Sequence, residues 1–309
     1  MKNMGSIFYS TGMILLMLFS GCNPQHIENT RKEQDHFRFV FMTDIHLQPE
    51  SDAIGGFHQA IDSVNALHPD FVITGGDLIM DALGQGYSRS DSLYKMYAES
   101  SERFNMPVYN TIGNHEIFGI YQRSGVPESH PEYGEKMYEK RLGKRYYSFD
   151  HKGWHFMILD GIEDTGKGSY IGMVDSTQME WIKADLAIVD SATPIAVSIH
   201  IPLLTVVTQM EKGALEPHGK GTVVNNARQV IDLFDNHNLK LVLQGHLHYI
   251  EDIYVEGTHF ITGGAVSARW WSGPYRGMEE GFVVVDVKGD DFDWYYFDYG
   301  WKAILPEKS

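Results

Sequence analysis

The stretch Gln244-Gly245-His246-Leu247-His248 follows Leu239-Lys240-Leu241-Val242-Leu243, a largely apolar run that reads as a buried strand. Two histidines one residue apart, where a strand gives way to a loop, can both face one cation. A single His-x-His pair carries little weight, but four other stretches repeat the layout. Asp44-Ile45-His46 follows Phe39-Val40-Phe41-Met42, and Gly75-Gly76-Asp77 follows Phe71-Val72-Ile73. Gly113-Asn114-His115-Glu116 follows Pro107 to Ile112, and His200 ends Ile195-Ala196-Val197-Ser198-Ile199. Each of these apolar strands delivers a metal-ligand type at its C-terminal end, an arrangement far rarer by chance than any one of them. Helical spacing appears between them: Phe57, Ile61, Val64 and Leu67 mark a helix over Phe57 to Leu67, and Leu93, Met96, Tyr97 and Phe104 one over Ser92 to Phe104. Strand, helix, strand in that order predicts a parallel sheet with crossover connections.

The ordered series Asp44-x-His46, Gly76-Asp77, Gly113-Asn114-His115-Glu116, His200 and Gly245-His246-x-His248 resembles the calcineurin-like metallophosphoesterase family. All of the family's blocks are present, and they span about two thirds of the chain. The resemblance implies an α/β fold in four layers (α/β/β/α), with two mixed sheets face to face and helices outside. The site then lies at the C-terminal ends of the strands. Two divalent or trivalent metal ions are implied as cofactors, and His, Asp and Asn donors suit Mn, Fe or Zn. Carried over position by position, Asp44, His46 and His248 would hold the first metal. Asn114, His200 and His246 would hold the second, and Asp77 would bridge them. Water acidified by the cations would attack phosphorus as hydroxide. His115 follows the ligand Asn114, is expected to point elsewhere, and matches a histidine near the leaving group. It is the expected catalytic residue, protonating that group or stabilising charge, with Glu116 orienting it. The purple acid phosphatase branch carries a tyrosine ligand three residues after the bridging aspartate. Met80 stands there in this chain, so no tyrosinate–iron centre is expected.

The expected activity is metal-dependent hydrolysis of a phosphomonoester or phosphodiester, on a small-molecule or lipid substrate; the motifs do not separate these. An alternative is a hydrolase of lipid-linked pyrophosphates at the membrane. A non-catalytic envelope binding protein would be signalled by a missing ligand or a missing His115, and neither is missing.

The chain has 309 residues, 43% of them hydrophobic and 21% charged, which suffices for one large α/β domain or two small ones. A net charge of -16 argues against nucleic acid held on a basic surface. At the N-terminus, Lys2 precedes an apolar core, Met13 to Phe19, of signal-peptide rather than membrane-spanning length. Leu18-Phe19-Ser20-Gly21-Cys22 resembles a bacterial lipobox, with Phe19 where Leu is preferred. The alternative is an ordinary signal peptide with Cys22 a bystander. The expected organisation is a signal peptide over 1–21, a flexible tether over 22–36 and the catalytic domain over 37–309. The protein would then be exported and held in the cell envelope, facing the periplasm or the cell surface, by lipid on Cys22. Cys22 is the only cysteine, so no intrachain disulfide forms.

The remaining polar residues read more plainly. Asp81 is expected to lie at the surface or behind the ligands rather than to bind metal, and Asp160 to be structural. Gly161 to Val174 reads as a Gly-rich loop, and without Gly-Lys-Ser/Thr it is no P-loop. Leu203 to Thr222 reads as a long loop that brings His218 within reach of a substrate. Gly263 to Pro274 carries Arg269, Trp270 and Trp271, and two readings stand open: a substrate wall, or a core loop with packed indoles. A mouth lined by Trp270, Trp271 and Tyr275 would favour diesters with a nonpolar or base-like group. After His248, four strand patterns joined by short turns close the chain.

Overall fold

The structure, a computed structural model, describes residues 36–304. The expected signal peptide, Cys22 and all of the tether but His36 lie outside the described residues. The chain enters β1 (His36–Met42), crosses through α1 (Ala53–Leu67) to β2 (Phe71–Thr74), and through α2 (Tyr87–Ser101) to β3 (Val108–Asn110). A short helix, α3 (Lys136–Leu142), precedes the hairpin β4 (Tyr147–His151) and β5 (Trp154–Leu159). There follow β6 (Ile162–Asp164), β7 (Tyr170–Gly172), α4 (Ser176–Leu186), β8 (Pro194–Ile199), α5 (Val207–Lys212), α6 (Ala227–Asp232) and β9 (Asn238–Gln244). The chain closes with β10 (Ile250–Val255), β11 (Thr258–Gly263), β12 (Gly281–Lys288) and β13 (Asp291–Asp298).

Two mixed sheets result, in the orders β13-β12-β1-β2-β3 and β10-β11-β9-β8-β5-β4. The strands that lead into the ligand motifs run parallel: β1, β2 and β3 in one sheet, β8 and β9 in the other. The C-terminal strands form no separate layer. β12 pairs antiparallel with β1, and β11 pairs parallel with β9, so this part of the chain completes both sheets.

The alternation along β1 shows how the layers stack. Phe37, Phe39 and Phe41 join Phe71, Trp154, Phe156, Leu241 and Leu243 in one buried cluster between the sheets. Phe39 meets Phe71 at 5.1 Å within its own sheet and Phe156 edge-on at 5.6 Å across the interface. The intervening Val40 and Met42 belong to a second core that includes Phe57, Ile61 and Val64 of α1. On the other sheet, Met157 and Leu159 share that core with Ile182 and Leu186 of α4. This is the four-layer arrangement expected.

Four local expectations need correction. α1 begins four residues before Phe57, because Ala53 and Gly56 are themselves buried on its inner face. α2 spans Tyr87–Ser101 rather than Ser92 to Phe104; its buried residues are Ser90, Leu93, Tyr94, Tyr97 and Ser100. The glycine-rich segment 161–174 contains the β6–β7 hairpin. The segment 203–222 is interrupted by α5, which buries Val207 and Thr208. No helix among the described residues is long and apolar enough to cross a membrane.

Candidate metal centre

All the ligand-type residues read from the sequence converge at the C-terminal ends of β1, β2, β3, β8 and β9. Five of them sit in left-handed backbone: Asp44 (φ 56°), His46 (48°), Asp77 (51°), His246 (72°) and His248 (50°). Asp and His tolerate this region better than most residues, yet each still costs of order 1–3 kcal/mol. The surrounding chain enforces it. Asp44 N–H donates to Gly76 O at 3.0 Å and His46 N–H to Asp77 O at 2.8 Å, so the loop after β1 is zipped to the loop after β2. Gly245 N–H donates to His200 O at 3.0 Å, and this ties the loops after β8 and β9 together. Two glycines permit the crowding. A Cβ on Gly76 (φ 91°) would fall 2.6 Å from His200 Nδ1, and one on Gly245 would fall 2.0 Å from Thr43 Oγ1.

The donor atoms form three overlapping clusters: Asp44, His46 and His248; His46, Asp77 and His115; Asp77, His200 and His246. His248 Nε2 lies 3.2 Å from Asp44 Oδ1 and 2.9 Å from His46 Nε2. Asp77 Oδ2 lies 3.2 Å from His200 Nε2 and 3.7 Å from His46 Nε2, so this carboxylate stands between the two outer clusters. Asn114 Oδ1 is 3.2 Å from His200 Nε2.

The donor set fits cations. His200 Nδ1 is 2.7 Å from Gly75 O and His248 Nδ1 is 2.6 Å from Ala268 O. Each Nδ1–H donates to a carbonyl, which leaves Nε2 facing the cluster as a ligand atom. Asp44 accepts from Thr43 Oγ1 at 2.7 Å and from His246 N–H at 3.0 Å. His46 Nδ1 is buried without a partner.

Charge is partitioned across the cluster. Burial pushes His46 down to about 4; it also pushes His246 down to about 4, with a further push from His200. Burial opposes protonation of His200 too, but Asp77 overrides it and raises this histidine to about 9. His248 is raised against burial by Asp44. Asp44 and Asp77 are both held below the ordinary carboxylate range, since the histidines outweigh their desolvation.

His115 does not point away as expected: its Nε2 lies 3.7 Å from Asp77 Oδ2, and its ring meets that of His46 edge-on at 4.6 Å. Its Nδ1 is bonded to Met80 O. Glu116 does not orient it. The buried Glu116 carboxylate accepts instead from the N–H groups of Asp77 (2.9 Å), Leu78 (2.8 Å), Ile79 (3.1 Å) and Gly113 (2.7 Å). It is the clamp under the Asp77 turn, and the Gly-x-x-Glu spacing of a capping box is the signal that would have found it.

Asp81 pairs with Arg123 at 3.2 Å, and buried Asp160 binds Arg145 and accepts from Ile162 N–H at 2.9 Å; neither joins a donor cluster. His218 is tied to Thr208 Oγ1 at 2.9 Å and joins none of the clusters. The two tryptophans part. Trp271 is buried, and its Nε1–H donates to Ile45 O at 2.9 Å, beneath the ligand loop. Trp270 packs its ring 4.8 Å from that of His248. Tyr170, on the hairpin the sequence did not reveal, sets its ring 6.4 Å from that of His246.

A family model described as calcineurin-like phosphoesterase matches residues 37–249. The chain belongs to the calcineurin-like phosphoesterases. A probable cyclic nucleotide phosphodiesterase of Xenorhabdus bovienii (strain SS-2004) is 22% identical over 269 residues, which cover 82% of this chain and 96% of the relative. Among solved structures, a dimetal phosphatase from Danio rerio superposes with a TM-score of 0.58 at 14% identity, covering 85% of this chain and 99% of that one. A purple acid phosphatase from yellow lupin (Lupinus luteus) does so with a TM-score of 0.52 at 17% identity, covering 85% of this chain and 52% of the other. These structural likenesses speak for the fold. This calcineurin-like phosphoesterase is a metal-dependent hydrolase of phosphate esters, with buried His/Asp clusters compatible with a metal site.

Proposed function

We propose that the protein is a phosphodiesterase with a dinuclear centre, in which Asp44, His46 and His248 hold one cation and Asn114, His200 and His246 the other. Asp77 bridges them. The observation that carries this reading is the position of Asp77, whose side chain belongs to a donor cluster with His46 on one side and to another with His200 and His246 on the other. The relative's phosphodiesterase name favours diesters over monoesters. Mn, Fe and Zn all suit the donors.

When bound, two adjacent cations supply charge to the phosphoryl oxygens and make water acidic enough to act near neutral pH. The chain does the rest. The Asp44 and His46 loop, pinned to the Asp77 loop, fixes the spacing between the two halves of the site. His115 holds its ring by Nδ1 to Met80 O and presents Nε2 beside Asp77. From that position Nε2 would pass a proton to the departing oxygen.

We also propose export and lipid attachment at Cys22. His36 begins β1 and Asp44 follows its end, so the chain enters the domain roughly 23 Å of strand away from the site. A Cys22→Ser chain should lose its membrane fraction.

The catalytic reading is tested by refilling metal-stripped protein with Mn, Zn or Fe and comparing bis-p-nitrophenyl phosphate with p-nitrophenyl phosphate. Metal-dependent turnover of the diester is expected. Turnover of the monoester alone would make the protein a phosphatase. No turnover of either, with both cations bound, would defeat the assignment.

A further inference from the structure

The loop between β11 and β12 is the most strained segment near the site. Ala268 (φ 40°), Trp270 (46°) and Trp271 (66°) all occupy left-handed backbone, which is an outlier for a bulky residue. The loop is bolted to the metal-ligand loop. Val266 N–H donates to Thr43 O at 2.9 Å, Ser267 Oγ donates to Asp44 O at 2.8 Å, and Trp271 is sunk in the core beside Gly56. Trp271 is buried, whereas Trp270 is partly exposed beside the cluster. Its ring lies 4.8 Å from that of His248 and 6.0 Å from that of His46. Tyr275 extends the layer, 5.8 Å from Trp270 and 6.0 Å from His248.

Trp270 is not needed to hold His248, whose Nδ1–H already donates to Ala268 O. The cation beside Tyr275 is already engaged: Arg276, 4.9 Å over the Tyr275 ring, is paired with Glu211. A partly exposed neutral aromatic layer beside an anion-binding centre suits a substrate with a flat apolar group attached to its phosphate. We propose that Trp270, flanked by Tyr275, is a specificity-determining residue that stacks a planar aromatic group of the phosphate ester, a nucleobase or an aryl ring. The proposal rests on the dinuclear reading above and names the substrate class for that site.

The test is binding to the metal-loaded chain by calorimetry, with two pairs of ligands matched in charge: phenylphosphonate against methylphosphonate, and adenosine 5′-monophosphate against ribose 5-phosphate. Stacking on one ring predicts a preference of about 5- to 100-fold for the aromatic member of a pair. The pair that shows it distinguishes an aryl group from a nucleobase. In Trp270→Ala the preference should fall to within about twofold, while methylphosphonate still binds and the metal content is unchanged. Trp270→Phe should restore most of it. Three results would overturn the proposal: no aromatic preference in the parent chain, a preference that survives Trp270→Ala, or an equal loss for both members of each pair. Methylphosphonate binding without aromatic preference removes the stacking role alone. Failure to bind any of the four ligands removes the dinuclear reading as well.

Discussion

At the scale of single residues, the site separates groups that are ready to bind a cation from groups that must first lose a proton. His46 and His246, pushed down to about 4 by burial, are neutral at pH 7. His200, raised to about 9 with Asp77 as the cause, holds a proton there, and His248 is shifted in the same direction by Asp44. A cation must displace the His200 proton. Metal affinity should therefore weaken as pH falls from about 9, by about tenfold per pH unit. Calorimetry in buffers of different ionisation enthalpy would read the release directly; affinity independent of pH between 6 and 9 would contradict it. His115 makes a separate prediction. His115→Ala should lower kcat by about 10²–10⁴ on esters with a poor leaving group and far less on p-nitrophenyl esters. Equal losses on both would remove its role as proton donor.

At the scale of elements, the apolar strands and their terminal ligands were legible because strands buried on both faces read as continuous apolar runs, with the donors directly after them. Other features were not. Left-handed backbone at Asp44, His46 and Asp77 arises from hydrogen bonds between loops distant in sequence, and no local pattern encodes it. The adjacent indoles Trp270 and Trp271 look alike in the chain, and only the packing against Gly56 and the bond to Ile45 O tells them apart. That packing makes Trp271 a support for the ligand loop. Trp271→Ala should cost about 3–5 kcal/mol of stability, read as a lowered denaturation midpoint, and weaken metal binding as the loop loosens. Unchanged stability would show that the loop stands without it.

At the scale of the molecule, strand–helix–strand order implied a parallel sheet with crossovers, and the division into two facing sheets was implied by the family resemblance. The order did not reveal that the last strands close both sheets, because antiparallel pairing of β12 with β1 joins positions far apart in the chain. The convergence places Asp77 between the two halves of the site, where one carboxylate reaches both. The most direct test is the number of metal ions bound per chain, measured by elemental analysis after saturation and dialysis, in the parent protein and in Asp77→Asn. Two ions are expected in the parent and at most one, with turnover reduced by at least about 100-fold, in the variant. A single ion in the parent, or two ions held as tightly without the Asp77 carboxylate, would contradict the dinuclear reading.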